Sequence, residues 1–92
     1  MEKAITIFLE GNLYRSGFRF FILQKAVELG IKGYVKYENR KNIIVHGEGE
    51  FSKIEEFAAW CSKGTLSCKV LASKIEDTEH QNYSSFDIIK SN

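Results

Sequence analysis

The order of segments in this chain predicts an α+β fold in which two helices pack on one face of a mainly antiparallel sheet. Three observations carry that prediction. Apolar residues alternate with a period of two in short runs such as "AITIFLEG", and recur at helical spacing in longer runs such as "RFFILQKAVELG". The runs follow one another as β-α-β-β-α-β, with a further strand at the end. Helices and strands in that order bury their apolar faces by gathering the helices on one side of the sheet, the ferredoxin-like arrangement. With 92 residues, 43% of them hydrophobic, there is material for one core. The expectation is a single domain over residues 1–92. No proline, repeat or low-complexity linker interrupts it.

The first strand covers about Ile5–Glu10, with Ile5, Ile7 and Leu9 on one face. A helix follows in which Phe18, Ile22, Ala26 and Leu29 form the buried stripe, and Gly30 is placed to end it. Lys32–Tyr37 and Ile43–Glu48 read as a hairpin across the polar turn "ENRKN". Ser52 with Glu55 three residues on has the pattern of a capping box. It announces a second helix with Ile54, Phe57, Ala58 and Cys61 inward and Gly64 at its end. Cys68–Ile75 and Tyr83–Ile89 are the remaining strands, with Phe86 and Ile88 sharing a face.

The net charge of +1 gives no general field to draw nucleic acid or an anionic membrane. An anion site, if present, is local. Apolar runs such as "FFIL" extend only a few residues, so no transmembrane helix is expected. The start, with Glu2 and Lys3 and no long apolar stretch, does not resemble a signal peptide, and a cytoplasmic location is expected. Cys61 and Cys68 match no zinc pattern, and His46 and His80 are remote from them in sequence, so the thiols read as half-buried hydrophobes. His46 reads as a surface or rim histidine, and Trp60 as packing on the second helix.

The chemistry concentrates in "LYRSGFRFF", Leu13 to Phe21, at the junction of the first strand and the first helix. A strand-to-helix loop turns backbone N–H groups inward, and the helix start adds unpaired N–H groups and the positive end of the dipole. Arg19 in the first turn offers a planar fork of donors matched to phosphate oxygens. Gly17 can take positive φ and admit a ligand close to the backbone. A cation at this helix end is unfavourable without an anion. The competing reading pairs Arg19 with a carboxylate such as Glu28 or Glu48, and leaves Arg15 as a solvated loop-tip residue. Tyr14 either shapes the mouth of a site or covers the helix start.

The chain resembles the acylphosphatase family over nearly its whole length. That family carries G-x-V-x-G-V-G-F-R, then A-x-x-L-G-[LIV]-x-G-W-V-[RK]-N, then V-x-[VA]-x-x-E-G. Here the matching segments are "GNLYRSGFR" (Gly11–Arg19), "AVELGIKGYVKY" (Ala26–Tyr37) and "IIVHGEG" (Ile43–Gly49), at spacings that need no gap. The later "FAAWCSKG" and "YSSFDII" fit the second helix and the last strand. The resemblance implies hydrolysis of small acyl phosphates to carboxylate and phosphate, by in-line water attack without metal or cofactor. It also implies that Arg19 and the loop Tyr14, Arg15, Ser16, Gly17 and Phe18 hold the phosphoryl group. The expected partner is a small substrate, or phosphate or another small anion, bound by a monomer, with neither nucleic acid nor membrane involved.

Two departures fall inside the expected site. Tyr37 stands where the family has the asparagine that orients the attacking water, and one hydroxyl on a long rigid ring does not reproduce the short amide that both donates to and accepts from water. Arg15 and Ser16 replace the usual Gly and Val. Asn39, two residues beyond Tyr37, is the candidate substitute if the strand continues, and a hairpin-turn residue otherwise. The alternative function is accordingly a catalytically impaired relative that binds phosphate or another small anion, or an interaction module. Competing classes of similar element order fit less well. "NIIVHGEG" lacks the aromatics of an RNA-recognition strand, and the first loop lacks the C-x-x-C of metal chaperones.

Overall fold

The N-terminal strand β1 runs from Glu2 to Gly11, longer than its apolar alternation suggests, because it has a partner along both edges. It is followed by α1 (Phe18–Leu29), β2 (Lys32–Asn39), β3 (Asn42–Glu50), α2 (Phe51–Lys63), β4 (Val70–Asp77) and β5 (Phe86–Ile88). The computed structural model describes residues 1–90. The strands form one sheet in the order β4-β1-β3-β2-β5, antiparallel at every pairing except β2 with β5. Both helices lie on one face. The α+β, ferredoxin-like fold expected from the sequence is the fold observed.

The core lies between helices and sheet. Ile5, Ile7 and Leu9 of β1 meet Phe18, Ile22, Ala26 and Leu29 of α1 and Ile54, Phe57, Ala58 and Cys61 of α2. Each expected inward residue is buried. Trp60 stacks on Phe18 at 5.8 Å, and Phe86 meets Phe57 edge-on at 5.9 Å, so the short last strand is anchored by one aromatic. Gly30 ends α1 in the left-handed conformation, φ 71°; its N–H donates to Val27 O and that of Ile31 to Ala26 O, a Schellman closure. Cys61 and Cys68 are free and fully buried, and burial pushes the Cys61 thiol up.

Four local expectations need correction. The cap of α2 is Glu50, whose carboxylate accepts from the Ser52 N–H and hydroxyl, while Glu55 reaches Lys3 at 3.6 Å. The Ser52–Glu55 capping box does not form, because the helix already begins at Phe51, whose N–H is held by Met1 O. Cys68 is not in a strand: Thr65 and Cys68 exchange backbone hydrogen bonds in a tight turn after Gly64, and β4 starts at Val70. The last strand starts at Phe86 rather than Tyr83, because the N–H groups of Gln81 and Tyr83 donate to the Glu48 carboxylate. Finally, His46 is buried, 4% exposed, instead of sitting on a rim.

The last two corrections have one cause. The segment between β4 and β5 crosses the sheet face away from the helices, and His46 and Glu48 of β3 project from that face beneath it. His46 Nε2 lies 2.7 Å from Glu48 and Nδ1 3.4 Å from the Thr6 hydroxyl, while Tyr34 and Tyr83 pack on the ring. Burial pushes the Glu48 carboxyl up, but the hydrogen bonds from His46, Gln81 and Tyr83 together hold it below its ordinary value of 4.5. A carboxyl depressed on folding stabilises the protein fully above that ordinary value, and the contribution fades as pH falls through the depressed one. Glu48→Gln keeps the shape but offers one acceptor oxygen where the carboxylate serves three donors. It is expected to cost about 1–3 kcal/mol at pH 7, with the gap to wild type narrowing toward pH 3 in urea unfolding.

Candidate active site

The loop after β1 turns sharply into α1. Ser16 N–H and Oγ–H both donate to Leu13 O, at 3.2 and 2.6 Å, and the Phe18 N–H donates to Ser16 Oγ at 3.3 Å. Gly17 sits at φ 83°, as a close turn before the helix requires, and Arg15 takes φ 59°. For an arginine that conformation costs about 1–2 kcal/mol relative to a glycine. The Cys68 thiol, 3.7 Å from Ser16 O, backs the loop from the core side.

Tyr37, near the end of β2, reaches across to this loop. Its hydroxyl accepts from the Arg15 N–H at 2.9 Å and donates to Leu13 O at 3.2 Å, which holds the strained Arg15 backbone in place. The Tyr37 ring packs against Tyr14, centroids 5.1 Å apart. The Arg19 guanidinium lies over the Tyr37 ring at 4.2 Å, a cation–π stack that leaves its N–H edge free. Tyr14, Arg15, Arg19, Tyr37 and Lys90 together line an open cleft of about 320 Å³.

Among the described residues no carboxylate lines the cleft, and none stands in the first turn of α1. Glu28 pairs with Lys25 and Glu48 with His46, so the two carboxylates considered as partners for Arg19 are engaged elsewhere. Among the described residues Arg15, Arg19, Arg40 and Lys90 make no ion pair. The helix end and these cations add rather than cancel, which gives this region a local positive field on a nearly neutral protein.

Of the residues expected at the site, Tyr14, Arg15, Arg19 and Tyr37 come together on the cleft. Ser16, Gly17 and Phe18 do not line it; Ser16 and Gly17 shape the turn, and the Phe18 side chain is in the core. Of the amides from Arg15 to Arg19, those of Arg15, Ser16 and Phe18 donate within the protein, while those of Gly17 and Arg19 have no intramolecular acceptor among the described residues. Asn39 stands apart. Its Oδ1 accepts from the Lys41 N–H at 2.9 Å and from Asn42 Nδ2 at 3.1 Å, closing the hairpin turn. The β2–β3 register shifts between Tyr37 and Asn39, so the rule that residues two apart share a face does not carry one to the other.

Lys90 is the lining residue that sequence reasoning missed. β5 runs parallel to β2 with Val35 opposite Ile88, which brings Lys90 alongside Tyr37. Only the position of β5 beside β2 reveals it.

The chain and its fold have counterparts among known proteins. A family model described as Acylphosphatase matches residues 5–88. A protein of Archaeoglobus fulgidus named Acylphosphatase is 33% identical over 85 residues, which cover 92% of this chain and 96% of that one. One of Thermotoga maritima with the same name is 33% identical over 86 residues, covering 94% and 96%. A solved structure of an acylphosphatase from Coxiella burnetii superposes with a TM-score of 0.90 at 25% identity, covering 96% of this chain and 93% of its own.

Proposed function

The chain belongs to the acylphosphatase family, and from that premise we propose that its cleft hydrolyses small acyl phosphates to a carboxylate and inorganic phosphate. The observation that carries the proposal is Arg19, a guanidinium without a carboxylate partner among the described residues, at the positive end of α1 beside unbonded amides. In the reaction, water attacks phosphorus, the P–O bond to the acyl oxygen breaks, and the carboxylate leaves with that electron pair. Water's proton passes to solvent or the released phosphate. Charge gathers on the phosphoryl oxygens, and a preorganised guanidinium with helix-end amides offsets it without covalent help from the protein. A carboxylate is a good leaving group, so neither metal nor general base is assigned. The same reading takes residues 1–92 as one domain, acting as a cytoplasmic monomer without nucleic acid or membrane.

Water orientation falls to Tyr37. With one lone pair on the Arg15 N–H and its proton on Leu13 O, the hydroxyl retains one lone pair to accept from water. That supports slow turnover rather than none. The same hydroxyl favours a second reading, an anion-binding relative with impaired catalysis, because it occupies a loop amide that a phosphoryl oxygen would otherwise use. Benzoyl phosphate hydrolysis by wild type and Tyr37→Asn separates the two. Turnover by wild type, with about a hundredfold gain in Tyr37→Asn, the order of effect that misplacing a reacting group by an ångström carries, is the expected result. A wild type at the uncatalysed rate that still binds phosphate establishes the second reading.

A further inference from the structure

Phosphoryl binding by Arg19 and the helix end does not account for the other cations at this cleft. The Arg15 guanidinium lies 5.4 Å from the centroid of the Tyr14 ring, and that of Arg40, at the tip of the β2–β3 hairpin, 5.2 Å from the same centroid. Two cations on one ring repel each other, and neither has a carboxylate partner among the described residues. Lys90 enters the same cleft from the end of β5. Arg15 is also held at φ 59°, where a glycine would be unstrained, so its side chain is kept at a backbone cost.

The two sets of charge are separated along a pair of aromatic rings. Arg19 covers Tyr37, and Arg15 and Arg40 cover Tyr14, with the ring centroids 5.1 Å apart. A substrate whose phosphate rests on Arg19 extends its acyl group along these rings. We propose that the cleft selects acyl phosphates whose acyl group carries a second anion, a carboxylate in the simplest case, held by Arg15 and Arg40. This substrate class rests on reading the cleft as an acyl phosphate site. A neutral short acyl group leaves the second set of cations unused.

The test compares kcat/KM for succinyl phosphate and acetyl phosphate, alongside affinities for 4-phosphonobutyrate and butylphosphonate, which share the phosphonate and differ by the carboxylate. In the wild type at low salt, succinyl phosphate is expected to be favoured about tenfold, since two partly solvated ion pairs contribute a few-fold each at most. 4-Phosphonobutyrate is expected to bind tighter by a similar ratio. Both ratios should shrink toward one at about 0.5 M salt, where such pairs are screened, and in Arg40→Gln and Arg15→Gly. Equal kcat/KM for the two substrates, equal binding of the two phosphonates, or ratios unmoved in both variants overturn the proposal. If no acyl phosphate is turned over, the hydrolase reading fails by itself, and the phosphonate pair still decides whether the second anion is recognised.

Discussion

Arg19→Ala is expected to lower kcat/KM for benzoyl phosphate by about 10²–10³-fold, the usual cost of removing one preorganised donor from a developing anion. The effect should be large because the deleted group is the cation closest to the start of α1, stacked on Tyr37 at 4.2 Å. The fold should survive. Arg19 makes no ion pair among the described residues, and its cation–π stack on Tyr37 is worth about 0.5–1 kcal/mol at a half-exposed site. Arg19→Lys keeps the charge but not the planar fork, so it should recover only part of the rate. Steady-state hydrolysis, with circular dichroism to verify folding, checks this. An unchanged rate in Arg19→Ala would move the chemistry away from this cleft.

Gly33→Ala is expected to be the most damaging single substitution for stability. Gly33 lies on β2 at φ 141°, a conformation that side chains rarely adopt, directly opposite Gly47 of β3. An added methyl would overlap the carbonyl of His46, which is backbone and cannot rotate away. Relief requires opening the β2–β3 pairing, and the Gly33 N–H that donates to Ser85 O would move with it, loosening the approach to β5. A loss of about 4 kcal/mol or more fits a steric clash of this kind. For a domain of this size that means a fall in Tm of roughly 15 °C or more. Thermal unfolding of the variant within a few degrees of wild type would show that the sheet yields there easily.

The two glycines that matter most read differently from the sequence alone. Gly30 announces itself as a helix terminator after the last apolar residue of α1, and it closes the helix as expected. Gly33 shows its necessity only when the neighbouring strand is in place. The same division runs through the molecule. The inward faces of α1 and α2 follow from spacing, because a helix presents its own period. Arg19 at the loop follows from the chemistry of a helix start and from the family pattern.

What the sequence does not display are contacts made across long intervals of chain. Glu48 captures the N–H groups of Gln81 and Tyr83, shortens β5 and buries His46, yet nothing near Glu48 in sequence signals it. Lys90 joins the cleft through the parallel pairing of β5 with β2. Tyr37 is visible in the sequence as a departure, but the bond from the Arg15 amide to its hydroxyl is not. The strained Arg15 and the intrusive Tyr37 thus form one unit, in which the tyrosine supplies the bond that keeps the arginine in its left-handed conformation.

The most direct measurement is wild-type hydrolysis of benzoyl phosphate in ¹⁸O-labelled water with excess chelator. Attack of water on phosphorus at the Arg19 cleft predicts benzoate release above the uncatalysed rate, undiminished by the chelator, with the label in phosphate. Benzoate release at the uncatalysed rate, or label carried into benzoate instead of phosphate, would contradict it.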